Sequence, residues 1–454
     1  MRHWRALALA AVLAMVLAAC GGNGTTETTA APASSSTTAM SETTTGGSTA
    51  TTMAPGGEIK TDHGVDIEAG TINVGLLSDL SGPFAPLVSA IVSGHEVYWE
   101  NVNNNGGING LKVNLVIEDN AYDVPTQIQK YEKIHNDVVA IGHSTGSPHT
   151  VAILPNLAED DMLAIPLTWY SGWTDPALNA NLLHHGSPYC LEAMNSIDYM
   201  SNDIGGASTI AIASIPGDYG LDGATGAAKA AEALGLEVVY DATGKAIPGD
   251  DASLTEIANG IAAASPDLVF FSATPAAFSS VFGQAVAQGY EGKWTGTSPS
   301  WSPAFMQSEI ADAVTRDVYI STYVDTWDGD SEGSQDMTAL MKELKPDAPP
   351  LDYYNEGYVE ATILHQALLK AYDNGDMTRA GVLAAGKSLE SVDFKGLAAP
   401  ETYVGAPNEQ VQRKTNMARP DPNSPTGSSI TEFDYTAQIT ADYQFDGACY
   451  KLEQ

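Results

Sequence analysis

The chain has 454 residues, with 56 Asp and Glu against 20 Lys and Arg, a formal net charge of −36. So acidic a balance argues against nucleic acid as a partner, because phosphate contacts draw on clustered Lys and Arg. It argues equally against lying flat on an anionic lipid surface. It favours solubility instead.

The first residues form a basic patch, Arg2 and Arg5, followed by an uncharged apolar run from Ala6 to Ala19. A bilayer span needs about twenty apolar residues, so this run has the length of a signal-peptide core. It ends in Leu17-Ala18-Ala19-Cys20-Gly21-Gly22, which resembles the bacterial lipobox. That resemblance implies a signal peptide over 1–19 and an acylated Cys20 as the new N-terminus. The chain would then be tied by lipid to the outer face of the cytoplasmic membrane, in the cell envelope. One acyl chain holds a bilayer only marginally, and the two or three chains of such lipoproteins suffice.

From Gly21 to about Gly57 the sequence is almost wholly Thr, Ser, Ala and Gly. Too few apolar groups stand there to offset the entropy of ordering, so a disordered tether is expected over 20–70. Such a tether averages roughly 30 Å end to end. The folded part is expected to begin near Thr71, and about 380 residues exceed what one core usually supports, so two lobes are predicted.

Strand and helix patterns then alternate. Thr71–Leu77 reads as a strand, and Leu87, Val88, Ile91, Val92 and Val102 recur at helical spacing. Strands at Leu111–Ile117, Val138–Ile141 and Met162–Ile165 alternate with helices at Pro125–His135 and Pro148–Glu159. A second series opens after Pro188, with strands at Ser208–Ala213, Leu236–Tyr240 and Asp267–Phe271 among four helices. Repeated strand–helix units imply parallel sheets covered on both faces. Long helices follow at Gln335–Leu344, Leu351–Asp373 and Thr378–Leu389, then a Pro/Gly/Asn-rich end with a strand-like run at Ile430–Thr436.

Several local sequences in this frame resemble one family. Asn73-Val74-Gly75-Leu76-Leu77-Ser78-Asp79-Leu80-Ser81-Gly82-Pro83 resembles the first strand and loop of leucine/isoleucine/valine-type periplasmic binding proteins. Asn103-Asn104-Asn105-Gly106-Gly107-Ile108-Asn109-Gly110 resembles their turn after the first helix, where paired glycines permit positive φ. Gly217-Asp218-Tyr219-Gly220, Ser265-Pro266-Asp267-Leu268-Val269 and Asn355-Glu356-Gly357-Tyr358 look like later family motifs. The resemblance implies an α/β type I periplasmic-binding-protein fold, two Rossmann-like lobes joined by three crossovers. On that pattern the N-terminal lobe takes 71–187 and 323–392, and the C-terminal lobe 188–322 and 393–454. It further implies a solute-binding protein of an ABC importer, with permease and ATPase subunits as partners and no enzymatic step, cofactor or metal.

Ligands of open α/β sheets sit beyond the carboxyl ends of the strands. The loop Gly142–Ser147 before Pro148 offers hydroxyls at a helix N-terminus, a ready anion site, and relatives place the ligand's carboxylate there. Ser144, Thr145 and Ser147 are therefore candidate contacts. Thr168, Trp169 and Thr174 occupy the family's second ligand loop, and from the other lobe Tyr219, Thr274 and Ser298 match its ligand-facing positions. Relatives that bind amino acids carry a carboxylate near Gly296-Thr297-Ser298, where this chain has hydroxyls, with Asp218 or Asp325 as alternative charges. The expected ligand is thus a small polar solute: an amino acid, an amide or a small organic acid. Cys190 and Cys449, an even pair outside the cytoplasm, read as a disulfide.

Two other motifs compete. Gly142-His143-Ser144-Thr145-Gly146 fits a hydrolase nucleophile elbow, yet the later histidines do not stand where a catalytic base is expected. Asp328, Asp330, Glu332 and Asp336 loosely follow a calcium-loop spacing, with Ala339 in place of the closing Glu. No Cys/His cluster has zinc spacing.

Overall fold

The computed structural model describes residues 59–451. The signal peptide, Cys20 and most of the tether lie outside them. Order begins earlier than Thr71. β1 (Lys60–Thr61) pairs in parallel with a late strand, β12 (Asp376–Met377), and β2 (Val65–Asp66) runs antiparallel to the start of β3 (Thr71–Ser78). Backbone pairing fixes residues 60–66 although their side chains carry little apolar signal.

After β3 come α1 (Ala85–Asn104), β4 (Lys112–Asp119), α2 (Val124–Ile134), β5 (Ala140–Thr145), α3 (Ser147–Glu159) and β6 (Leu163–Leu167). β4, β3, β5 and β6 lie side by side in that order, all parallel. The turn between α1 and β4 holds Gly106, Gly107 and Gly110 at positive φ, with Asn109 at 49°.

The second series repeats the plan. α4 (Tyr189–Asp203) leads into β7 (Thr209–Ser214), α5 (Asp218–Leu234), β8 (Glu237–Ala242), α6 (Asp251–Ala264), β9 (Leu268–Ser272), α7 (Pro275–Ala287) and β10 (Lys293–Thr295). Its parallel order, β8-β7-β9-β10, is the same permutation as in the first sheet. Two sheets of one topology in one chain are the two Rossmann-like lobes.

α8 (Ala311–Asp317) and β11 (Ile320–Thr322) end this series, and α9 (Glu332–Leu344), α10 (Tyr353–Asp373) and α11 (Arg379–Lys387) return to the first lobe. There α10 crosses α1 so closely that a Cβ on Gly94 would meet the Tyr354 carbonyl oxygen at 2.3 Å. A Cβ on Gly357 would meet that of Ile91 at 2.0 Å. β13 (Thr415–Pro420) and β14 (Ser428–Tyr435) then form an antiparallel hairpin on β11. α12 (Gln438–Asp442) packs on α4.

Cys190, on α4, and Cys449 are joined as a disulfide with Cα atoms 6.4 Å apart. No described helix is long and apolar enough to cross a membrane.

Candidate ligand-binding cleft

The strand ends of both lobes face one cavity. β3 leads to Asp79, whose carboxylate accepts from the N–H groups of Gly82 (2.6 Å) and Phe84 (2.9 Å). This buried acid folds the loop that brings Phe84 to the cavity. α1 adds Leu87, Val88 and Ile91, β5 adds Thr145, and Leu167 with Trp169 stand at the end of β6. The second lobe supplies Tyr189, Tyr219 and Ser298, and α10 closes the space with Tyr353 and Glu356.

The walls are mostly aromatic and aliphatic. Phe84 meets Tyr219 edge-on across the cleft at 6.0 Å between centroids, and Tyr122 at 4.9 Å. Tyr189 packs on Tyr219 at 4.9 Å and on Trp169 at 5.8 Å. The Tyr219 hydroxyl is occupied within its own lobe, donating to the Ala273 carbonyl (3.0 Å) and accepting from Thr297 (3.0 Å). The ring therefore meets the cavity while the hydroxyl does not. Burial pushes its pKa up to about 12.

Among the described residues no lysine or arginine lines the cavity. Its one ionisable carboxyl is Glu356, which is buried and has no hydrogen-bond partner on Oε2. Burial first, then the neighbouring Glu360 and Glu192, hold its pKa well above the ordinary range. Behind Ser298, Glu192 on α4 accepts from the Ser298 N–H and the Ser321 hydroxyl, each at 2.6 Å. Burial raises its pKa to about 7.

Of the residues singled out in the sequence, Thr145, Trp169, Tyr219 and Ser298 line the cavity. Five others do not. Ser144 points to the opposite face of β5, where its hydroxyl bonds Gln127 (3.0 Å) and Thr150 (2.8 Å). The strand runs on to Thr145, not stopping at Ile141, so successive side chains alternate faces and only Thr145 reaches the cleft. Ser147 and Thr168 bond each other within the lobe. Thr174 caps a short 3-10 turn by donating to the Ser171 carbonyl (2.7 Å), and Thr274 caps α7 through the Ala277 N–H (3.3 Å).

Neither alternative charge lines the cavity. Asp218 accepts from the Tyr219 N–H at 3.0 Å through Oδ1 while its Oδ2 is buried without a hydrogen-bond partner, and Asp325 organises the turn before α9. Among the described residues the Ser144 hydroxyl bonds Gln127 and Thr150 and no histidine, so no base stands at the nucleophile elbow there. The acidic loop is bound to Lys395, which lies 2.8 Å from both Glu332 and Asp336. Phe84, Tyr122, Tyr189 and Tyr353 went unnoticed in the sequence because each flanks an element as an ordinary aromatic. Glu356 did stand in a quoted motif.

Two lobes of matching topology, their strand ends facing one cavity, form the architecture of a type I periplasmic binding protein. The chain belongs to the periplasmic binding protein family, whose model matches residues 71–425. Members of this family bind solutes outside the cytoplasm. A fatty acid ABC transporter substrate-binding protein from Thermomonospora curvata is similar over 85% of this chain and 97% of its own, at 27% identity and a TM-score of 0.78. A branched-chain amino acid ABC transporter protein from Thermus thermophilus, solved with valine, shares 16% identity, with 82% and 97% covered and a TM-score of 0.69. A solute-binding protein from R. palustris, solved with benzoate, shares 17% identity, with 84% and 99% covered and a TM-score of 0.67. No curated protein matches the chain in sequence.

Proposed function

We propose that this chain is the solute receptor of an ABC importer and that its solute is a small organic acid with an apolar body. The observation that carries this reading is the cavity wall, where aromatic and aliphatic side chains surround few polar groups. An amino acid, with two charged groups to desolvate, fits such a wall poorly, whereas an aliphatic or aromatic acid matches it. Thr145 stands at the end of β5 just before the N-terminus of α3, where backbone dipoles favour a carboxylate. Glu356, its pKa raised by burial, adds a donor while protonated. The fatty acid named for the Thermomonospora relative and the benzoate of the R. palustris protein are acids of this kind.

One observation favours a rival reading. Glu356 lies unpartnered among aromatic rings, an arrangement that would also hold an apolar amine if the carboxyl ionised. Calorimetric titration with octanoate, benzoate, leucine and octylamine separates the two. The acids should bind and the amine should not; tighter binding of octylamine or leucine than of either acid overturns the proposal.

We also propose that Cys20 carries the lipid anchor and that the Thr/Ser-rich segment holds the receptor clear of the membrane. The lipobox-like Leu17–Cys20 supports this. Cys20→Ser should move the protein from the membrane fraction to the medium, and a variant that stays in membranes rejects the anchor.

A further inference from the structure

Directly behind the cleft, four fully buried side chains from four separate segments converge: His95 of α1, His143 of β5, His185 after β6, and Glu360 of α10. His143 Nδ1 lies 2.8 Å and His95 Nε2 2.9 Å from Glu360 Oε2, and His185 Nε2 lies 3.5 Å from Glu360 Oε1. The His95, His143 and Glu360 atoms all lie within 4.8 Å of one another. We propose that this cluster is a divalent metal site, suited to zinc, with His95, His143 and Glu360 as its protein ligands and His185 flanking the carboxylate.

The hydrogen-bond inventory supports a cation. One carboxylate faces three imidazoles, and among the described residues no lysine or arginine pairs with it. Although His185 Nε2 is within ion-pair range of Glu360 Oε1, neither atom has an aligned hydrogen bond, and His185 Nδ1 has no partner either. Buried polar atoms left in this way are uncommon and call for an unseen partner. A metal ion among His95 Nε2, His143 Nδ1 and Glu360 Oε2 would replace the two imidazole hydrogen bonds that now converge on that one oxygen and would neutralise Glu360.

The donor set agrees. Zinc takes imidazole nitrogen and carboxylate oxygen at about 2.0–2.2 Å, and a tetrahedron of such bonds has edges of roughly 3.3 Å. The His143 and His95 nitrogens stand 2.8 and 2.9 Å from Glu360 Oε2, somewhat under that edge, and the three ligand atoms all lie within 4.8 Å of one another. His143 also carries an outer partner, since its Nε2 lies 2.7 Å from Thr145 Oγ1. Metal on Nδ1 leaves the proton on Nε2, which then donates to Thr145. Thr145 Oγ1 already accepts from the Asp79 N–H at 3.3 Å, so its own hydrogen is left to point into the cleft. The metal site would thereby set Thr145 as a donor toward the solute.

The test uses the mature chain. Protein unfolded with chelator and refolded with or without zinc is dialysed and assayed for metal by mass spectrometry. Parallel samples loaded with cobalt(II) are read by visible absorption. About one zinc per chain should survive dialysis, raise Tm over the chelated form, and give tetrahedral cobalt bands. Glu360→Gln and His143→Ala should lose this uptake, whereas the exposed His63→Ala should keep it. Folded wild-type protein holding below about a tenth of an equivalent overturns the proposal, as does uptake unchanged in both cluster variants. Should the cluster variants fail to fold, the wild-type stoichiometry and cobalt spectrum decide alone, and weak octahedral absorption counts against the site.

Discussion

Thr145 and Ser144 are adjacent, yet they face opposite sides of β5, and this separates a binding role from a structural one. Removing the Thr145 hydroxyl deletes a cleft donor and strands the buried His143 Nε2 and Asp79 N–H, so Thr145→Ala should weaken acid binding by about tenfold, near 1.4 kcal/mol, and also lower unliganded Tm. Ser144→Ala should differ in affinity: it strands Gln127 and Thr150 in the core at a cost of about 1–3 kcal/mol while leaving acid binding intact. Calorimetry and thermal unfolding on the same preparations check both. Glu192 gives a pH dependence. Its folded-state pKa is raised from the ordinary 4.5 to about 7 by burial, so the folded chain keeps a proton that the unfolded chain releases. That contribution is present below about pH 4.5 and is lost as pH rises through about 7. Tm should therefore fall between about pH 5 and pH 8, and Glu192→Gln should flatten the slope.

At the scale of elements, α1 and α10 pack backbone to backbone at Gly94 and Gly357, which is why α10 can carry Glu356 and Tyr353 to the cavity and Glu360 behind it. Gly357→Ala would drive a methyl into the Ile91 carbonyl and force the helices apart. The expected loss is about 1–3 kcal/mol with weakened ligand binding, read by denaturant unfolding and titration. The C-terminal segment is held from two sides. The disulfide to Cys190 fixes it to α4, while the Cys449 N–H donates to the Ser171 hydroxyl (2.7 Å), which in turn donates to Asp222 on α5. Reduction of this bridge should lower stability by about 2–4 kcal/mol, checked by unfolding with and without reductant.

On the scale of the whole molecule, the cavity is assembled from both lobes, and Phe84 touches Tyr219 across it. A solute contacting both walls favours the closed arrangement only by the contacts that the open one lacks. Small-angle scattering should show compaction on adding the acid that binds, and a smaller change for Tyr219→Ala at equal ligand concentration. Unchanged scattering at saturation would mean that the lobes are already fixed.

The alternation of apolar runs and turns, with the motifs at Asn73–Pro83 and Asn103–Gly110, was enough to read two parallel α/β lobes from the sequence, because strand and helix periodicities are local properties. The ends of elements were less legible. The sequence pattern ends β5 at Ile141, whereas the strand runs on to Thr145 and turns the Ser144 side chain away from the cavity. Hydroxyls also cap helices and bond one another, as Thr274, Ser147 and Thr168 do, and nothing local distinguishes those uses from ligand contact. Which aromatics wall the cavity, and that His95, His143, His185 and Glu360 meet behind it, depended on tertiary structure alone. Those side chains come from segments far apart in the chain, and only the packing of α1 and α10 against the first sheet brings them within hydrogen-bonding distance.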